Sequence, residues 1–280
     1  MSAQTTSTKY ATVKGVKLAY RRFGKPSNIP LIFLTHFRGT MDLVDPLLAN
    51  SIAASRELIL FDNAGVGNSE GTIQDTLQES GATVVDFLAS IGVRKADIVG
   101  FSMGGMIAQT IAVEHPEVVN KIVLAGTQSS YTEGIIAADP EHMQIVAAGN
   151  GPTEDEIIKL FFYPSETSKA LGHAWWKRIQ ERHVDGEERT GFVDQAGSQE
   201  MLAAIVRFAS DVGFFDRLKL VETPVLVTNG KDDVLTPTAN SFILQQRLRD
   251  VELHIFPDSG HGHLYQFPEA FAALLELFLG

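Results

Sequence analysis

The sequence predicts an α/β fold: a doubly wound, mostly parallel sheet carrying an inserted helical segment. Three observations predict it. Short apolar runs alternate with helical patterns along most of the chain, as in βαβ units whose strands are buried on both faces. One run leads through Gly100-Phe101-Ser102-Met103-Gly104 into a helical pattern, so a serine with glycine two residues away on each side sits at a strand-to-helix turn. The alternation then stops from about residue 128 to 215, where the chain reads as polar helices with no convincing buried strand. The expected organisation is a first core part over 1–127, a helical cap over 128–215 and a second core part over 216–280.

The elements follow in order. Residues 10–20 alternate apolar and polar around Lys14-Gly15, the pattern of a hairpin. Buried strands are expected in the runs at 30–36, 58–62, 98–101, 119–124, 224–228 and 251–256. Helices are expected over 72–91, where Leu77, Val84, Val85, Leu88 and Ile91 recur at helical spacing, and over 103–115, stopped by Pro116. Two more are expected over 238–248 and 269–279, and within the cap over 154–162, 167–182 and 199–208. The cap's aromatic residues, Phe161, Phe162, Trp175 and Trp176, must pack on something. The strand ends beneath, where ligands bind in such sheets, are the expected partner.

Composition narrows the function. With 280 residues, 44% of them hydrophobic, the chain can bury one large core, or one domain with an insertion. It carries 23 basic and 34 acidic residues, a net charge of −11, and no basic run, which argues against nucleic acid or an anionic membrane surface as partner. The absence of cysteine excludes disulfides, thiol catalysis and zinc–thiolate sites. The polar N-terminal stretch has no apolar segment of a signal peptide, and no apolar run approaches a membrane span. A soluble cytoplasmic protein is the expectation, with monomer and homodimer both open.

Serine needs help to attack. Its hydroxyl is a weak nucleophile at neutral pH, so it takes a base, usually histidine, and the histidine takes an acid that fixes its tautomer. Glycines at 100 and 104 allow a strained turn that holds Ser102 clear of the sheet, with the new helix's free N–H groups behind it. The remaining partners occur in the order acid, then histidine. Asp232 and Asp233 follow the run at 224–229, and His261 and His263 follow the run at 251–256.

Together these features resemble the α/β-hydrolase fold family, over nearly the whole chain. The strand ending in His36 stands where the family has His-Gly. Asp62-Asn63-Ala64-Gly65-Val66-Gly67-Asn68-Ser69 is similar to its D-x-x-G-x-G-x-S loop. Gly230-x-x-Asp233-x-x-x-Pro237 is similar to its acid loop, and Gly260-His261 followed by Phe267-Pro268 to its histidine segment. The resemblance implies Ser102 as nucleophile, His261 as general base and Asp233 as acid, with Asp232 and His263 as their bland neighbours. It implies an oxyanion hole from the N–H of Met103 and one from the loop after His36, in first place Arg38 with Phe37 as the alternative. That loop departs from the pattern, since Phe37 replaces the glycine. The Arg38 cation is expected either to attract a substrate oxygen or to pair with Asp42, Asp45 or Asp62. His36 and Asp62 are expected to be structural, Asp62 bracing its glycine turn. Phe37, Trp175 and Trp176 are expected to contribute to substrate binding, although cap packing is the simpler role for the tryptophans.

The implied activity is cleavage of a carboxylester, lactone or thioester of a small apolar molecule, with no cofactor and no metal. C–C bond hydrolysis, perhydrolysis or lyase chemistry could use the same triad. A non-enzymatic small-molecule receptor on the same scaffold is the third possibility.

Overall fold

Eight strands form one sheet in the computed structural model, which describes residues 2–149 and 151–280. Met1 of the polar N-terminal stretch and Asn150 of the insertion lie outside the described residues. The strands are β1 (Lys9–Val13), β2 (Val16–Gly24), β3 (Leu31–Leu34), β4 (Glu57–Phe61), β5 (Ala96–Phe101), β6 (Val119–Ala125), β7 (Val225–Gly230) and β8 (Val251–Phe256). Their spatial order is β1-β2-β4-β3-β5-β6-β7-β8, with the β1–β2 and β2–β4 pairings antiparallel and the rest parallel. Every predicted strand is present. Strands β3, β5 and β7 are buried along their whole length, as their unbroken apolar runs require. The edge strand β8 is only partly buried, and its sequence alternates accordingly.

The strand order reverses at β3. Strand β4 lies on one side of it and β5 on the other. This is the switch point at which open α/β sheets form a crevice at the strands' carboxyl ends. Ser102 directly follows β5 and the loop of His36 follows β3, so both stand at that crevice.

The helices are α1 (Pro46–Ala53), α2 (Leu77–Ser90), α3 (Met103–Glu114), α4 (Pro140–Ala147), α5 (Glu154–Phe161), α6 (Glu166–Arg178), α7 (Gln195–Ser210), α8 (Val212–Arg217), α9 (Ala239–Arg247), α10 (His263–Gln266) and α11 (Pro268–Leu279). Three boundaries differ from expectation for local reasons. Helix α2 starts at Leu77, not 72, because the Thr76 hydroxyl accepts from Glu79 N–H and caps it. Helix α7 starts earlier, at Gln195, where the Asp194 carboxylate accepts from Gly197 N–H. Helix α6 stops at Arg178, short of Arg182, which is drawn into a buried ion cluster.

Helices α4–α8 fill the chain between β6 and β7, with no strand among the described residues there, only one bridge at Val184–Glu187. This insertion is bound to the sheet domain by buried charges. Arg21 and Arg182 share Asp42 (2.7 and 3.3 Å), and Arg178 grips Asp45 (2.6 Å). Arg182 also donates to the carbonyls of Ala3 and Thr6, so the N-terminal stretch packs under the insertion. Among the described residues no helix is long and apolar enough to cross a membrane.

Candidate active site

Ser102 occupies a backbone conformation that L residues rarely adopt, φ 56° and ψ −118°. Such strain persists only where surrounding bonds over-determine it. Here Ser102 N–H donates to Ala125 O (2.9 Å), and Ser102 O accepts from Gly105 N–H (2.9 Å) and from the Thr127 hydroxyl (2.8 Å). The glycines at 100 and 104 are required by contact. A Cβ on Gly100 would strike the backbone of Gly104, and one on Gly104 would strike that of Leu34. Ser102 precedes the first residue of α3, so the free N–H groups and positive end of that helix lie behind its hydroxyl.

His261 and Asp233 meet at the ends of β8 and β7. Nδ1 of His261 lies 2.7 Å from Asp233 Oδ2, and both side chains are almost completely buried. The other carboxylate oxygen accepts from the N–H groups of Leu235 (2.8 Å) and Thr236 (2.9 Å), and the Thr236 hydroxyl donates to Oδ2 (2.7 Å). Burial pushes the Asp233 carboxyl up, but His261 and the Thr236 donors outweigh it and hold the carboxyl below its ordinary range. Asp232, by contrast, is exposed. An ionised Asp233 keeps the proton on Nδ1 and turns the Nε2 lone pair outward. The imidazole is fixed between Phe101 (ring centroids 4.9 Å) and Phe161 (5.2 Å). Its hydrogen bonds all run through Nδ1, and Ser102 and His261 line the same small cleft.

His263 stands behind this pair. It lies 3.0 Å from the Thr228 hydroxyl through Nε2 and 3.1 Å from His261 O through Nδ1. Burial lowers its pKa to about 3, so it is neutral. His36 is likewise buried, its Nδ1–H donating to Phe37 O (2.9 Å), with burial lowering its pKa to about 4. Asp62 braces its loop, accepting from Asn68 N–H (3.0 Å) and, beyond expectation, from Met41 N–H (2.7 Å).

Arg38 behaves differently from both expectations. It pairs with none of Asp42, Asp45 or Asp62: Arg21 and Arg182 take Asp42, Arg178 takes Asp45, and Asp62 is filled by backbone donors. Nor does it offer a free cation to the site. Its guanidinium, fully buried, donates to the carbonyls of Val193, Val146, Ala148 and Gly149 at 2.7–3.1 Å. Its own N–H points to Met201 Sδ (3.4 Å), whereas Phe37 N–H donates to no group among the described residues.

The tryptophans do not reach Ser102's cavities. Trp175 is fully buried and stacks on Tyr265 (5.3 Å) and Phe161 (5.9 Å), while half-buried Trp176 stacks on Phe192 (6.5 Å). Phe37 does line the cavities beside Ser102. The larger has a volume of about 310 Å³ and runs under the insertion. Met103, Met106, Met143, Leu202, Ile205 and Phe208 are among its walls, and no charged side chain is. Leu235 and Thr236, on its wall, went unnoticed in the sequence. The position of Thr236, three residues after Asp233 in the acid loop, was the available signal.

Strained serine, acid–histidine pair and helix terminus on one sheet edge define an α/β-hydrolase architecture, and the chain belongs to that family: residues 29–268 match the model for the alpha/beta hydrolase fold. It is an enzyme of this fold. An alpha/beta hydrolase fold protein from Chitinophaga pinensis is 33% identical in sequence and superposes with a TM-score of 0.88, covering 100% of this chain and 99% of that one. RutD of Caulobacter sp. (strain K31), a candidate carbamate hydrolase by name, is 27% identical over 79% of this chain and 80% of its own length. The 2-hydroxy-6-oxo-6-phenylhexa-2,4-dienoate hydrolase of Burkholderia cepacia is 27% identical over 81% of this chain and 78% of its own.

Proposed function

We propose that this enzyme is a serine hydrolase that cleaves an ester-type bond of a small, uncharged, apolar molecule. The observation that carries the reading is the buried Asp233–His261 pair opening onto the same cleft as the strained Ser102. Ser102 Oγ attacks the carbonyl carbon while His261 Nε2 takes its proton. The N–H groups of Met103 and Phe37 hold the oxyanion, with Phe37 preferred to Arg38 because Arg38 N–H is already engaged by Met201. His261 returns the proton to the leaving oxygen. Water, deprotonated by His261, then releases the acyl group. The insertion acts as a cap that excludes bulk water from this step.

The cavity argues for a neutral substrate. The Burkholderia cepacia relative acts, by its name, on a dienoate, which is anionic. A carboxylate in the larger cavity would meet no cation on its walls, and Arg38, which lines the smaller cleft beside Ser102, has its guanidinium donors taken by carbonyls. Burying an unpaired charge is costly. About 310 Å³ holds on the order of ten methylene-sized groups, at roughly 30 Å³ each.

Hydrolysis of p-nitrophenyl esters by wild type and Ser102→Ala, with a fluorophosphonate label, tests the reading. Ser102→Ala should lower kcat by at least ~10⁴-fold and abolish labelling. For wild type, kcat/KM should climb about fourfold per added methylene until the cavity fills, and a hemisuccinate should be a poor substrate. Wild-type rates from the alanine variant, or a preference for the charged acyl group, would overturn it.

A further inference from the structure

Residues 36–39 form a tight turn closed by Gly39 N–H donating to His36 O (2.8 Å). Of its two central residues only Arg38 has positive φ, 62°. That is the type II pattern, and its third position normally belongs to glycine. An arginine there is strained and must be held by its surroundings. Every polar group of Arg38 is held, and each by the insertion. Its N–H points to Met201 Sδ (3.4 Å), its carbonyl accepts from Val193 N–H (3.0 Å), and its guanidinium donates to the carbonyls of Val193, Val146, Ala148 and Gly149. Among the described residues Arg38 forms no ion pair. Its charge is met by carbonyl dipoles from two separate stretches of the insertion, 146–149 and Val193.

From this arrangement we infer that Arg38 is a positioning residue that couples the insertion to the oxyanion site, so that the Phe37 N–H is aimed at the substrate only when the insertion is closed. The inference rests on the serine-hydrolase reading above. The turn itself holds Phe37 weakly. His36 Nδ1–H binds Phe37 O (2.9 Å) and the Thr35 hydroxyl binds Gly39 O (2.9 Å), and both bonds are internal to the loop. The Arg38 anchors are the bonds that set the loop against the rest of the site. If the insertion lifts, five side-chain or backbone bonds of Arg38 to its carbonyls and Val193 N–H are lost, and the strained φ loses its support. A second tie, Gly262 N–H to Phe161 O (2.7 Å), joins the insertion to the histidine loop.

Arg38→Gly separates the two contributions. Glycine suits the type II turn better than arginine, but it removes every anchor of the side chain. Arg38→Lys keeps the charge and cannot reach all four carbonyls. Both are compared with wild type in p-nitrophenyl ester hydrolysis and in inhibition by phenylboronic acid, whose tetrahedral serine adduct places an oxygen in the oxyanion hole. The expected result is a kcat lower by on the order of tenfold or more, less than removal of a donor outright, with KM within about threefold. The boronate inhibition constant should rise in step with the loss in kcat. A variant with lowered Tm but wild-type kcat and boronate affinity would make Arg38 merely structural and overturn the inference, as would a rise in KM alone. If Arg38→Gly does not fold, Arg38→Lys carries the same comparison. Wild type that neither hydrolyses the esters nor binds the boronate would overturn the serine-hydrolase reading and this inference with it.

Discussion

The sheet and the insertion are built on different physics. Strands β3, β5 and β7 are buried end to end and held by ladder bonds and apolar contact. The insertion is tied to the sheet domain by directed polar contacts, Arg178 on Asp45, Arg182 on Asp42 and Arg38 on carbonyls of the insertion, besides the packing of Phe161 on His261 and of Trp175 on Tyr265. Apolar burial is non-directional and tolerates small shifts, whereas a buried cation demands particular partners at particular distances. The difference teaches that Ser102, Asp233 and His261, the groups proposed to carry the reaction, stand on the rigid sheet edge. The shape of the cavity is left to a piece whose seat is specified by a few polar contacts.

Three measurements would break or sharpen this contrast. The largest effect is expected at the sheet edge. Asp233→Asn should lower kcat by about 10³–10⁴-fold with little change in fold, while exposed Asp232→Asn should leave it within about twofold of wild type. Equal losses in the two variants, measured with a p-nitrophenyl ester, would mean that the acid does not come from the position buried against His261. The next effect is expected at the seam. Asp42→Asn leaves Arg21 and Arg182 without their shared carboxylate and should cost about 3–5 kcal/mol in denaturant unfolding. A cost below ~1 kcal/mol would show that the seam is held by apolar contact after all, and the contrast would fail.

The smallest effect concerns acid. His263 is neutral in the fold at a pKa of about 3, against an ordinary value of 6.5. The unfolded chain therefore binds the extra proton first, and the stability this histidine contributes is complete above about pH 6.5 and lost as pH falls toward 3. In paired melts, wild type should lose stability relative to His263→Gln by about 1.4 kcal/mol per pH unit below 6.5. Parallel curves for the two proteins would place the acid sensitivity elsewhere.

The same contrast explains what the sequence made legible. Apolar runs announced the six strands β3–β8, most of them buried on both faces, and alternation around Lys14-Gly15 announced the hairpin β1–β2. Ser102, Asp233 and His261 were readable because each follows such a run at the carboxyl edge. Helices α1 and α4 were overlooked, although Asp45-Pro46 and Asp139-Pro140 carry the aspartate cap and first-turn proline that open a helix. The partners of Arg38 could not be read at all. Its acceptors are main-chain carbonyls more than a hundred residues away, and a carbonyl leaves no mark in a sequence. The expectation of a carboxylate partner failed for that reason. Trp175 and Trp176 drew attention by size, while stacking on Tyr265 and Phe161 and on Phe192 gives them their place.

The cavity beside Ser102 also carries a chemical liability. Met103, Met106 and Met143 form part of its wall, and the chain has no cysteine that could react in their place. Thioethers are oxidised by peroxides to sulfoxides, which are polar and bulkier. Hydrogen peroxide attacking an acyl-serine in place of water would free the serine and release a peracid beside three oxidisable side chains. Each turnover would risk converting the apolar wall into one that repels the substrate it was shaped to hold.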